Sequence, residues 1–328
     1  MTDRLVLITG GTGYVGSVLV PMVAKKYPVR VFCNQLFGNP IAETPNVEFI
    51  EGDIRDENTL AVAMRGVTDV IHLAGVVTDE LVDMNPGLAR EINVEAMNSL
   101  CQIAKTAGAN RFIYASSSSI YGAQDEIADE TMLPNPMTEY AKMKLAGETI
   151  LNNYQSLDFT VCSVRCATCA GPAPRMRLDT IVNVFCKQAY FDHRINVHGG
   201  GQWRTNIHVE DAAAFYTRLL DADPELIQGE AFNVTAENHH AIEIARIVRY
   251  LAGEYGLPAS ISVDTSKQDP RNYRMTAKKA EQVLGWQPRH DMTCAINDNF
   301  RWFKAGGIEE PDSDLYYNNR RMKEFVKG

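Results

Sequence analysis

The sequence predicts an α/β fold, a doubly wound parallel sheet followed by a smaller C-terminal lobe, and three observations carry this. Over residues 4–165, short β-branched and aliphatic runs alternate with longer helical stretches, the order that a parallel sheet covered on both faces requires. The first strand-to-helix junction is a glycine-rich turn, Gly10-Gly11-Thr12-Gly13-Tyr14-Val15-Gly16. Beyond Arg165 the alternation gives way to loops at Gly171-Pro172-Ala173-Pro174 and Gly199-Gly200-Gly201, which divides the chain into residues 1–165 and 166–328.

In chain order the expected strands are Arg4–Thr9, Val29–Phe32, Val47–Ile50, Asp69–Leu73, Arg111–Ala115 and Phe159–Val164. Helices are expected between them near Tyr14–Lys26, Asn58–Met64, Pro86–Ala107 and Thr138–Tyr154. Helical segments recur near Thr180–Ala189, Glu210–Leu220, Ala241–Glu254 and Ala277–Leu284. From Gly306 the chain is polar without clear periodicity and reads as a docked or mobile extension, whose Tyr316-Tyr317-Asn318-Asn319-Arg320-Arg321 stretch could meet a partner.

With 328 residues, 45% of them hydrophobic, the chain can bury a full core. A net charge of −9 gives no basic footprint for nucleic acid. No apolar run is long enough to cross a membrane, and no secretion signal precedes Leu5, so cytoplasmic residence is expected. The seven cysteines are an odd, scattered set rather than a disulfide framework. Cys166 and Cys169 lack a second pair or a Cys-His partner at metal spacing; they read as packing residues, and no metal site is expected.

Glycines 10, 13 and 16 lie between a strand and a helix, where they permit a tight turn and the approach of a pyrophosphate to the helix N-terminus. Gly10, Gly13, Tyr14, Val15 and Gly16 are therefore candidate dinucleotide contacts, the alternative being a merely convenient turn. Where a carboxylate would hold the ribose 2′-hydroxyl, this chain has Cys33 followed by Asn34, an uncharged hydrogen-bonding side chain. Neither arginine nor lysine follows closely to receive a 2′-phosphate, which favours NAD over NADP. Asp53 could accept from the adenine amino group with Ile54 packed on the ring, or could cap the next helix. Leu73-Ala74-Gly75 would let a ligand lie against the backbone, while His72 reads as structural.

Strand Arg111–Ala115 opens into Ser116-Ser117-Ser118-Ser119-Ile120-Tyr121-Gly122, and Tyr140-Ala141-Lys142-Met143-Lys144 follows on a helix. Tyr140 and Lys144 share a helix face. A tyrosine titrating near 10 is a poor base at neutral pH, but a nearby ammonium favours its phenolate. Ser117 would position a substrate hydroxyl and Lys144 would also hold a nicotinamide ribose.

These residues resemble the nucleotide-sugar epimerase/dehydratase branch of the extended short-chain dehydrogenases, from Leu5 to about Pro288. The resemblance implies a Rossmann-type sheet in residues 1–165, mainly an NAD-binding unit, and a smaller nucleotide-sugar-binding lobe with a tail in residues 166–328. It implies Ser117, Tyr140 and Lys144 as catalytic residues, Gly10, Gly13 and Gly16 as the cofactor loop, and Asp53-Ile54 as the adenine contact. Ser117, Ser118, Asn183, Arg204 and Arg271 would meet substrate, the arginines through its diphosphate. Surface ion pairs are the alternative for both arginines. Matching segments are Arg175-Met176-Arg177-Leu178-Asp179, Val182-Asn183, Gly201–Asp211 and Asp269-Pro270-Arg271. The helices Pro86–Ala107 and Thr138–Tyr154 would pair with their copies in a homodimer.

Related 4,6-dehydratases carry acidic residues directly after the serine or threonine, where this chain has Ser118 and Ser119. Hydroxyls of ordinary pKa protonate a departing hydroxyl poorly. Reversible chemistry at C4, a 4-epimerase above all, is therefore the expectation. A 4-dehydrogenase or 4-ketoreductase would use the same residues, and the segments around Arg177 and Asn183 are also similar to enzymes of nucleotide-linked heptoses. Ala170, where many relatives have a large aromatic, would widen the pocket or reflect compensated packing. A dinucleotide-binding sensor or scaffold is the non-enzyme alternative, opposed by the intact Ser117, Tyr140 and Lys144.

Overall fold

The computed structural model describes residues 4–266 and 271–327. Its strands begin with β1 (Val6–Thr9), β2 (Val29–Cys33), β3 (Val47–Glu51), β4 (Asp69–His72), β5 (Arg111–Ala115), β6 (Ile127–Ala128) and β7 (Thr160–Cys166). They continue with β8 (Thr168–Ala170), β9 (Arg194–His198), β10 (Trp203–His208), β11 (Glu230–Val234), β12 (Glu237–His240), β13 (Ser260–Asp264) and β14 (Arg274–Met275). Seven form one parallel sheet in the order β11-β7-β5-β4-β1-β2-β3. The strand order reverses between β1 and β4, which opens a crevice at their carboxyl ends, where such sheets bind ligands.

The helices begin with α1 (Tyr14–Ala24), α2 (Glu57–Ala63), α3 (Asp79–Met84), α4 (Pro86–Arg90), α5 (Ala96–Thr106), α6 (Glu139–Asn153), α7 (Ile181–Lys187) and α8 (Val209–Leu220). Then come α9 (Pro224–Ile227), α10 (Ala241–Glu254), α11 (Lys278–Leu284), α12 (Met292–Lys304) and α13 (Asn318–Lys327). Side chains alternate along β1: Val6 and Ile8 pack with Leu19, Val20 and Val23 of α1 and Phe215 of α8, whereas Leu7 packs with Leu60 of α2, Leu100 of α5 and Leu151 of α6. A third cluster, built on Val182, Ile195, Ile244 and Phe300, is the core of the smaller lobe.

Three departures from the sequence reading matter for the site. The single helix expected over Pro86–Ala107 is interrupted by a π turn at Glu91–Glu95 that turns Asn93 inward. Strand β7 runs two residues past Val164, carrying Cys166 to the cleft. The polar tail, too short in apolar residues to show periodicity, forms α13, with Met322 buried and Phe325 packed on the sheet cluster.

The chain also crosses back: β11 pairs with β7, and α8 covers α1, so residues beyond 165 complete the parallel sheet and one of its faces. Phe215 and Phe232 are both fully buried there. Uncovering such side chains costs roughly 1.5–3 kcal/mol each, against a typical total stability of about 5–15 kcal/mol. A fragment of residues 1–165 is therefore expected to show no cooperative transition in scanning calorimetry; a sharp unfolding peak would contradict this.

Candidate active site

The cleft at the crevice encloses about 460 Å³ and brings together the glycine loop, Cys33, Asn34, Asp53, Ile54, Leu73, Ala74, Gly75, Ser117, Ser118, Tyr140, Lys144, Arg204 and Arg271. Close backbone approach explains two of the glycines. Gly10 has φ 70°, and a Cβ there would stand 2.8 Å from Ala74 N. A Cβ on Gly16 would stand 2.6 Å from Gly11 Cα. Gly13 caps α1 without a side-chain acceptor, so no side chain of the cap competes for the helix's first N–H groups.

The loop after β4 is held by a residue that sequence reasoning missed. Asn93 Nδ2 donates to Val76 O at 2.9 Å, and Asn93 Oδ1 accepts from Val76 N at 2.9 Å. Its only sequence signal was a polar side chain on the apolar face of a helix. Thr78 follows at φ 93°, an unusual conformation for a β-branched residue, and its hydroxyl donates to Asn319 Oδ1 of α13 at 2.9 Å.

Ser117 lies just past β5 and accepts from Ser119 N at 3.2 Å and from Ser119 Oγ at 2.9 Å. Thr138 caps α6, accepting from Ala141 N at 3.2 Å, and α6 then sets Tyr140, Lys144 and Glu148 on one face. Lys144 Nζ donates to Ala115 O at 2.7 Å and stands 5.9 Å from the centre of the Tyr140 ring. Burial pushes Lys144 down to about 8 and Tyr140 up to about 12, while a hydrogen bond with Ser117 pulls Tyr140 the other way. The shift of Tyr140 is therefore upward, against the lowering expected from the ammonium: desolvation of the phenolate outweighs the hydrogen bond with Ser117 and the positive charge of Arg177.

Beneath these residues lies a buried charged chain. Arg165 Nη2 donates to Glu148 Oε2 at 2.8 Å and Nε to Oε1 at 3.1 Å, and Ser116 Oγ donates to Glu148 Oε1 at 2.5 Å. Arg165 Nη1 donates to Tyr121 Oη at 2.9 Å, and Tyr121 donates in turn to Asn233 Oδ1 at 2.8 Å. Helix α6 is thereby pinned to β7, to the end of β5 and to β11.

A sequence profile described as the NAD dependent epimerase/dehydratase family matches residues 6–235. The chain belongs to this family. It is 26% identical over 321 residues to mouse dTDP-D-glucose 4,6-dehydratase, covering 92% of this chain and 89% of that one. It is 25% identical over 320 residues to UDP-glucose 4-epimerase of Corynebacterium glutamicum, covering 92% and 96%. The structure of UDP-glucuronic acid 4-epimerase from Bacillus cereus, in complex with UDP-glucuronic acid and NAD, superposes with a TM-score of 0.81 at 23% identity, over 92% of this chain and 99% of that one. The doubly wound fold, the enzyme class and the NAD dependence expected from the sequence are those of the family.

The residues fit NAD. The positions where a Cβ would collide, Gly10 and Gly16, form a backbone cradle at the start of α1. Asn34 is exposed at the cleft and accepts from Leu36 N at 3.2 Å. Asp53 is held by Arg55, whose Nη2 lies 2.8 Å away and keeps its carboxyl below the usual range; the cap of α2 is Asp56, not Asp53. Ile54 is buried beside it. Only the backbone of Tyr14 is directed by the glycine turn, since its hydroxyl donates to Gly171 O at 2.6 Å. His72 is buried against Thr9 Oγ1 at 2.7 Å, and burial lowers it to about 3, in keeping with a structural role.

Ser118 Oγ lies 3.5 Å from the hydroxyl of Tyr273, a lining residue that the sequence reading missed. Arg204 is buried and donates to Trp203 O at 2.7 Å and Arg271 O at 2.5 Å. Arg271 pairs with Asp79 at 3.0 Å; Asp269 and Pro270 lie outside the described residues. Asn183 departs from the expectation of a substrate contact. It is fully buried; Oδ1 accepts from Gly171 N at 3.0 Å and from Asn299 Nδ2 at 2.9 Å, while Nδ2 donates to Tyr14 Oη at 3.0 Å and Arg177 O at 2.8 Å. Both donor and both acceptor positions are taken, so Asn183 fastens the smaller lobe to α1 instead.

Two clusters of metal-ligating or thiol side chains stand apart from the Ser117, Tyr140 and Lys144 group. His208, Glu210 and His290 stand close enough to hold an ion, but His208 Nδ1 accepts from Glu210 N at 3.1 Å, which leaves the ring proton on the Nε2 that faces Asp298 at 3.3 Å. Cys166 and Cys169 are free thiols 3.7 Å apart, and their mutual hydrogen bond and burial push Cys166 far up. No helix among the described residues is long and apolar enough to cross a membrane.

Asn183→Ala would leave buried partners unsatisfied at roughly 1–3 kcal/mol each. Denaturant melts are expected to show the loss, with the KM of the folded fraction for its sugar nucleotide unchanged. A raised KM at unchanged stability would restore the substrate-contact reading.

Proposed function

We propose that this enzyme is a 4-epimerase of nucleotide-diphosphate sugars. The observation that carries the reading is the group of hydroxyls at the cleft, Ser117, Ser119 and Tyr140, with no carboxylate at the two positions after Ser117. Elimination of water from the sugar asks for an acid there; inversion at one carbon asks only for a proton to leave and return. Among the described residues the carboxylates that line the cleft are each engaged by an arginine: Asp79 by Arg271, Asp53 by Arg55 and Asp179 by Arg177. The family and its relatives include both epimerases and dehydratases, so this choice rests on the site.

Bound at the glycine cradle, NAD would supply a reversible acceptor of hydride beside the sugar's C4. Ser117 orients the C4 hydroxyl toward Tyr140, which takes its proton and later gives it back. Lys144, fixed by Ala115 O, lends positive charge to the phenolate and holds the nicotinamide ribose. Arg204 and Arg271 set two guanidiniums on the lining of the cleft, to which a diphosphate would bind.

Incubation with a panel of GDP-, UDP-, CDP-, ADP- and dTDP-sugars, followed by chromatography and mass spectrometry, is expected to yield an isomer of equal mass with total NAD unchanged. A keto sugar matched by reduced cofactor would sink the epimerase reading. Tyr140→Phe should retain NAD while turnover falls by about 10²–10⁴; unchanged turnover would remove Tyr140 from its role.

The pH dependence follows from the two shifts. Phenolate at Tyr140 grows tenfold per pH unit below about 12, and ammonium at Lys144 declines above about 8. Their product rises below pH 8 and levels above it, and kcat/KM is expected to follow. A slope that continues unbroken past pH 9.5 (a value about 1.5 units beyond the lysine, where its charge is nearly gone) would contradict the assignment.

A further inference from the structure

Arg175 lines the cofactor cleft with no ion pair of its own among the described residues. Only 4% of its surface is exposed. Its backbone N–H donates to Ser17 Oγ of α1 at 3.1 Å, its guanidinium stands 3.7 Å from the centre of the Phe37 ring in the loop after β2, and Nη2 donates to Asn318 Oδ1 of α13 at 2.6 Å. Nε has no hydrogen-bond partner among the described residues. The carboxylate of this neighbourhood, Asp179, is engaged by Arg177 Nε at 2.5 Å and by Asn318 N at 2.8 Å. Two guanidiniums therefore share one carboxylate, and burial drags Arg175 down to about 9.

A buried ion left in this state is strongly unfavourable unless a ligand completes it. The position indicates which ligand: Arg175 spans from the first turns of α1, whose N-terminus favours anions, to the loop after β2. We propose that Arg175 binds the diphosphate of the dinucleotide and that Asn318 clamps it from outside, making the C-terminal helix part of the cofactor site. This rests on NAD occupying the glycine cleft. The planar fork suits a diphosphate bidentately, and the phenyl face of Phe37 fixes its plane. The sugar nucleotide carries a diphosphate too; the proposed function gives that one to Arg204 and Arg271.

Wild type and Arg175→Met, both stripped of nucleotide, would be titrated with ADP-ribose by calorimetry and melted without ligand. ADP-ribose affinity is expected to fall about tenfold or more, the scale of a lost charge-assisted pair. The nucleotide-free variant is expected to melt no lower than wild type, because an uncompensated charge has gone. Asn318→Ala, which keeps the charge but frees it, should weaken ADP-ribose by a smaller factor. Unchanged ADP-ribose affinity in the Met variant overturns the proposal and leaves the guanidinium to the sugar nucleotide. A nucleotide-free variant that melts lower, or does not fold, overturns it as well, since the charge would then already be compensated. Neither measurement involves turnover, so the epimerase reading stands or falls apart from it.

Discussion

The buried pair of Glu148 and Arg165 is the constraint on which the site depends. One carboxylate on α6, two turns beyond Tyr140 and one beyond Lys144, is gripped by a guanidinium from β7 and a hydroxyl from the end of β5. Removing one partner of such a pair typically costs about 3–5 kcal/mol, a large share of a domain's stability. That cost is what keeps α6 in a single position against the sheet. A helix free to slide by 1.5 Å per residue of register would carry the Tyr140 hydroxyl away from Ser117.

The same pair reaches across the fold. Through Tyr121 it meets Asn233 on β11, a strand contributed by the second half of the chain. The second half of the chain is therefore tied to the catalytic face by Asn233 and to α1 by Asn183, whose amide joins Tyr14, Gly171, Arg177 and Asn299. The cleft opens at the carboxyl ends of β1 and β4. Its cofactor side is shaped by backbone contact at Gly10 and Gly16, and its outer edge by α13, which meets Thr78 and Arg175 through neighbouring asparagines.

What the sequence disclosed was governed by local rules. A glycine loop between strand and helix, and Tyr140 and Lys144 one helical turn apart, are read within a few residues, and their elements lie where the periodicity put them. What it concealed was governed by distant contacts. Nothing near Asn183 shows that its four hydrogen-bonding positions are already occupied; nothing near Glu230–Val234 shows that it will join a strand some seventy residues earlier. The π turn at Asn93 reads as ordinary helix because the residues on either side have helical periodicity. The direction in which Tyr140 is shifted is hidden for a similar reason: proximity to Lys144 is local, whereas the burial that raises it is a property of the whole cleft.

The central claim is that the sugar is inverted at C4 and otherwise left intact. The most direct test is to follow deuterium placed at C4 of the accepted sugar nucleotide, by mass spectrometry and NMR of the product. The account predicts an epimer that still carries the deuterium at C4. A product lighter by one water, or one in which the label has moved to another carbon or left the sugar, would contradict it.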